Sequence, residues 1–128
     1  MYVTFPGTAR QALEFYADLF GGELQLHTFA DFARTDGPAD AIAHGELTGV
    51  VSLGGADVAG GELPVHVQGW FLSLLGTAAP ATLHAWFDAL AEGGRVVDPL
   101  QPRPWGASDG QVVDRFGLHW LLGYEPSA

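Results

Sequence analysis

His44 and Glu46 are the residues in this sequence whose types and spacing most plainly suit chemistry. They stand two apart in an alternating stretch, Ala41 to Thr48, so on a strand both side chains project from one face. An imidazole beside a carboxylate can work as an acid/base pair or offer two donors to a divalent ion. The same pair equally fits a polar strand face that is solvated or internally hydrogen-bonded. His27 falls in the preceding alternating stretch and is placed to lie opposite on the neighbouring strand. His119 shares strand parity with Leu121. It reads either as a hydrogen-bond partner or general base near neutral pH, or as a structural histidine. His66 and His84 carry no assigned role. The chain has no cysteine, which excludes disulfides, thiolate metal sites and a cysteine nucleophile. It also has no Gly-x-Ser-x-Gly, no phosphate loop and no dinucleotide-binding glycine motif.

The elements that must position these residues follow from periodicity. Tyr2 to Phe5 reads as a strand stopped by Pro6-Gly7. Thr8 and Gln11 match a capping box, and Ala9, Leu13, Tyr16 and Phe20 then recur at helical spacing until Gly21-Gly22 closes the helix. Strands are predicted over Glu23 to Phe29, Ala41 to Thr48 and Val50 to Leu53, with a loop from Asp31 to Asp40. Gly54 to Pro64, rich in glycine, reads as a linker. The order then repeats. Trp70 to Leu75 is a strand, and Pro80 opens a helix whose stripe is Leu83, Trp86, Phe87 and Leu90 before Gly93-Gly94. Arg95 to Val97, Gln111 to Asp114 and Leu118 to Leu122 are strands, separated by the Pro99–Gly106 loop and an Asp109-Gly110 turn. Phe15-Tyr16, Leu19 and Gly21-Gly22 align with Trp86-Phe87, Leu90 and Gly93-Gly94, an internal repeat of roughly 70 residues.

Length and composition agree with one small globular domain. The 128 residues suffice for one core, and a hydrophobic share of 48% argues against disorder. No apolar run reaches the ~20 residues that span a bilayer, and the start lacks signal-peptide character. A cytoplasmic protein is expected. The net charge of −10, five scattered arginines and no lysine disfavour nucleic acid and anionic membranes as partners.

The sequence resembles the vicinal oxygen chelate (glyoxalase/bleomycin-resistance/dioxygenase) superfamily, and more narrowly its PhnB-like branch, often labelled 3-demethylubiquinone methyltransferase-like. The resemblance is carried by Tyr2 to Tyr16 with Phe20-Gly-Gly-Glu23, by His44-Gly-Glu-Leu47, by Val97-Asp-Pro-Leu100, and by Trp105-Gly with Asp109 to Trp120. Arg115 departs from the proline usual at that turn. The resemblance implies an α+β fold of two βαβββ modules forming curved mixed sheets around a cavity. Module one covers about residues 1–56, a linker about 54–64 and module two about 65–128.

Metal-dependent members hold a divalent ion with His, Glu or Gln from the first and last strand of each half. The matching positions here are at or before Met1, about Ser52, Trp70 and Leu121, none of them a usable ligand. The metal site is therefore expected to be lost, with no cofactor. The resemblance then implies metal-free binding of a small, partly aromatic molecule, of the drug-sequestering type, by a homodimer. Trp70 offers a flat surface for stacking or fills the core, and Trp105 closes the cavity mouth. Ser52, Leu121, His119, His44 and Glu46 complete the expected ligand contacts, while Trp86 and Trp120 belong to the core. Two alternatives stay open: a lyase, isomerase or dioxygenase with a metal displaced to His44/Glu46, and a ligand-free regulatory or interaction module. The methyltransferase label has no cofactor-binding glycine loop behind it.

Overall fold

The computed structural model describes residues 1–126 and divides the chain into two compact units, Met1–Val65 and the chain from His66 onward. In the first unit the order is β1 (Tyr2–Phe5), α1 (Ala9–Phe20), β2 (Glu23–Thr28), β3 (Ile42–Thr48) and β4 (Leu53–Asp57), with a short 3-10 turn at Ala30–Phe32 inside the predicted loop. The second unit repeats it with β5 (Leu72–Leu75), α2 (Pro80–Ala91), β6 (Arg95–Pro102), β7 (Ser108–Val113) and β8 (His119–Tyr124). Each unit forms one four-stranded sheet, ordered β1-β4-β3-β2 and β5-β8-β7-β6. In both, the first strand pairs in parallel with the last and the remaining pairs are antiparallel. The fold is thus α+β with two βαβββ modules, and neither sheet closes on itself.

Each helix buries the stripe its periodicity predicts. Ala9, Ala12, Leu13, Tyr16 and Phe20 of α1 are buried with Val3, Phe5, Leu47 and Leu53 of the first sheet. Leu83, Trp86, Phe87 and Leu90 of α2 are buried with Leu74, Val112, Trp120 and Leu122 of the second. Trp86 and Trp120 are therefore core residues, as expected.

Several boundaries differ from the sequence reading, each for a physical reason. Thr8 forms no side-chain cap on α1. Asp57, at the end of β4, does that work from a distant part of the chain. Its Oδ1 accepts the Ala9 N–H at 2.9 Å and its Oδ2 the Ile42 N–H at 2.8 Å, tying helix, β3 and β4 together. The last strand of module one is Leu53–Asp57, not Val50 to Leu53, so Gly54 to Asp57 is not linker. Its glycines are steric: a Cβ at Gly54 would lie 2.8 Å from the Tyr2 ring, and one at Gly55 2.9 Å from the Val3 carbonyl and the Phe5 ring. The true connection lies beside the edge of β1, where Thr4 O accepts the Val65 N–H and the Thr4 hydroxyl donates to the Leu63 carbonyl. This covers part of an otherwise bare strand edge.

In the second unit, β5 starts at Leu72, leaving Trp70 just outside it. The strand β6 runs on through Pro99 to Pro102, where a loop was expected. It is an edge strand with two register irregularities, and those are the places a sheet tolerates proline. Asp109-Gly110 accordingly lies inside β7 and is not a turn. A Cβ at Gly110 would come within 2.5 Å of the Leu100 backbone nitrogen, so the irregular strand fits only over a glycine.

Candidate functional site

Strand parity separates two faces on each sheet. Along β3, Ala43, Gly45 and Leu47 are buried on the helix side, while His44, Glu46 and Thr48 lie on the other. His27 pairs directly with His44 across β2 and β3, as the alternation predicts, and Gln25 pairs with Glu46. The helix-free face of the first sheet therefore gathers both imidazoles and the carboxylate.

Two aromatic residues join them that sequence reasoning did not single out. Tyr2 pairs with Gly54, whose missing side chain lets the phenol ring lie across β4. The Tyr2 hydroxyl thereby reaches His44 Nδ1 at 3.0 Å. Phe32, on the short turn after β2, packs on His27 from the other side. The result is a row of four rings, Tyr2–His44–His27–Phe32. Successive centroids are 5.7, 6.4 and 5.3 Å apart and interplanar angles are 13°, 12° and 20°. The end rings stay half exposed, Tyr2 at 53% and Phe32 at 50%. The parity of Tyr2 and Thr4 against the buried Val3 and Phe5 was the available signal for Tyr2; Phe32 sits on a turn that no periodicity marks.

The electrostatics of this row favour hydrogen bonding over charge. Packing around the phenol raises the Tyr2 pKa, and the Glu62 carboxylate raises it further against a smaller opposing effect of Arg34. Tyr2 therefore stays protonated, and its hydroxyl shares a hydrogen bond with His44 Nδ1 whose direction follows the imidazole tautomer. His44 Nε2 lies 3.9 Å from Glu46 Oε2, beyond a direct hydrogen bond.

The second sheet has a smaller counterpart. His119 lies against Phe71 with ring centroids 4.3 Å apart, and its Nε2 is 3.0 Å from Gln111 Oε1. Leu121 shares this face, part-buried, while Trp120 and Leu122 face the helix. Burial, with a smaller contribution from Arg95, lowers the His119 pKa. The ring is thus neutral near pH 7, donates from Nε2 to Gln111, and leaves Nδ1 as an acceptor.

The other expected site residues are placed apart. Ser52 is exposed in the turn before β4, its Oγ 3.3 Å from both the Gly49 nitrogen and carbonyl oxygen. The residue related to Leu121 by strand pairing is Ala56, opposite Thr4 as Leu121 is opposite Ser73. The expected last-strand position at Ser52 was therefore misplaced by the misread bounds of β4. Trp70 is part-buried beside Phe71 in sequence, outside the strand. Trp105 is 71% exposed, in a cleft at the end of the second sheet.

The donor set does not suit a metal at the family's positions. Met1, Ala56, Trp70 and Leu121 offer neither imidazole nor carboxylate. Among the described residues, no group of three or more His, Cys, Asp or Glu side chains is placed to hold an ion. His44 and Glu46 give two donors. His27, whose ring centroid lies 6.4 Å from that of His44, does not join them in such a group. Among the described residues, no helix is long and apolar enough to cross a membrane.

Known proteins agree with this architecture. Protein YjdN of Escherichia coli K12 is 25% identical over 137 aligned positions, covering 94% of this chain and 90% of the relative. The crystal structure of PA1353 from Pseudomonas aeruginosa superposes with a TM-score of 0.80 at 33% identity, covering 98% of this chain and 96% of that one. The PhnB protein from Bacillus cereus gives a TM-score of 0.78 at 19% identity, over 97% and 96% of the two chains, a likeness of fold. The family model for the Glyoxalase/Bleomycin resistance protein/Dioxygenase superfamily matches residues 2–122, and the chain belongs to that superfamily.

Proposed function

We propose that the protein binds a small, partly aromatic molecule without a metal, on the helix-free face of its first sheet. The observation that carries this reading is the four-ring row Tyr2–His44–His27–Phe32, half exposed at both ends on the helix-free face. Exposed rings held in one row by strand pairing lose little freedom when a planar ligand packs on them. The His44–Glu46 pair supplies hydrogen-bonding groups that orient such a ligand on the first sheet, and His119 offers one on the second. A displaced metal at His44/Glu46 would need a third donor, and among the described residues no group of three is placed to hold an ion. The homodimer that the resemblance implies is part of the same proposal, as is drug sequestration.

The test is an NMR titration of the full chain with quinoline and a panel of other planar aromatics, following the histidine ring protons. The expected result is a saturable shift of His44 and His27, weakened about three- to tenfold by Phe32→Ala or Tyr2→Ala. Histidine resonances that stay fixed with every compound would leave the ligand-free module as the better reading.

A further inference from the structure

A second feature lies beyond the His119–Phe71 contact on the second sheet. At the end of the second sheet, a cleft of about 400 Å³ is lined by Leu75, Trp105, Asp109, Tyr124 and Glu125, among others. That volume falls within the range of small-molecule sites. Its walls are fixed by hydrogen bonds. The loop carrying Trp105 is closed by Arg103 N–H to the Ala107 carbonyl at 2.7 Å and Gly106 N–H to the Arg103 carbonyl at 2.9 Å. The Arg103 guanidinium clamps the base of that loop, donating to Asp98 Oδ2, Asp109 Oδ1 and the Asp109 carbonyl. Tyr124 is held from α2 by its hydroxyl, 2.9 Å from His84 Nε2. Trp105 is therefore presented to solvent by a braced loop and follows Pro104, which fixes its own backbone torsion.

The charge around this cleft is negative. At its base Asp98 and the lining Asp109 together outweigh the single Arg103 guanidinium they share, and Glu125, also lining the cleft, adds an exposed carboxylate. The chain as a whole carries −10 with no lysine, so its field draws cations toward such a site. An exposed indole next to carboxylates is chemically matched to an organic cation, whose charge the ring face attracts and whose alkyl groups Leu75 can cover.

We propose that this cleft is a binding site for a small organic cation, a quaternary ammonium or protonated amine, gripped between Trp105 and Glu125. The site is independent of the ring row and stands whether or not that row binds a ligand.

The experiment is an NMR titration of the full chain with choline and with its neutral isostere 3,3-dimethylbutan-1-ol, following the Trp105 indole N–H. Choline should shift that resonance saturably, with the isostere about tenfold weaker. Trp105→Ala should abolish the response of the neighbouring Tyr124 and Glu125 amides. Glu125→Gln should weaken choline several-fold, an effect that added salt reduces. Both positions are exposed, so neither substitution touches the core. Equal responses to choline and the isostere would overturn the proposal by showing a merely apolar surface. So would an unmoved indole at concentrations up to about 50 mM choline, or an undiminished amide response in Trp105→Ala.

Discussion

Single side chains connect distant parts of this fold, and their loss should be measurable. Asp57 is 6% exposed and satisfies two backbone N–H groups, on α1 and on β3. Asp57→Ala leaves both donors buried and unmet, which should cost about 3 kcal/mol. Thermal melting should show it as a fall of more than about 10 °C, with Asp57→Asn losing roughly half as much because one oxygen remains. His119 gives a pH-dependent term. Its pKa is lowered in the folded chain from 6.5, so below that pH the unfolded chain takes up the proton more readily. The stability it contributes is complete above pH 6.5 and declines as the pH falls through that value toward its folded pKa. Urea midpoints taken on either side of this window should differ less in His119→Gln than in the parent chain. The capping by Asp57 was not legible in the sequence, because a contact between residues 9 and 57 has no local pattern, whereas the Thr8–Gln11 spacing has one and misled.

At the scale of elements, the helices were legible and the strand ends were not. A buried stripe at helical spacing is a local signal, and every residue expected in the α2 stripe is buried. Glycine and proline in β4 and β6 read locally as linker and loop. Their strand character comes from pairing with chain segments far away, β1 in one case and β7 in the other. The site was legible to the same degree. Alternation placed His27 opposite His44 and put Glu46 on the same face. It could not show that Tyr2 crosses Gly54, because that depends on the parallel pairing of β1 with β4. The steric account of Gly110 is testable against a neighbour in composition. Gly110→Ala puts a Cβ against the Leu100 and Asp98 backbone, which cannot yield as a side chain would, and should cost about 2–3 kcal/mol. Gly60→Ala has nothing within 4 Å and should be close to neutral by chemical denaturation.

For the whole molecule, two repeats of one module have kept their topology while their surfaces have diverged. Tyr2 pairs with Gly54 at the start of β1, and Phe71, just before β5, lies against His119 at the start of β8, so a ring stands beside the first strand of each sheet. The residues at which the resemblance implies metal ligands, at or before Met1, about Ser52, Trp70 and Leu121, offer no imidazole or carboxylate. The scaffold is that of the superfamily, and the side chains on its helix-free faces suit packing and hydrogen bonding better than ion coordination. The most direct test combines metal analysis of chain purified without chelator with a planar-ligand titration before and after EDTA. The account predicts no stoichiometric metal and an affinity that EDTA leaves unchanged. Stoichiometric zinc, iron, manganese or nickel that is lost in His44→Ala, with ligand binding lost alongside it, would contradict it.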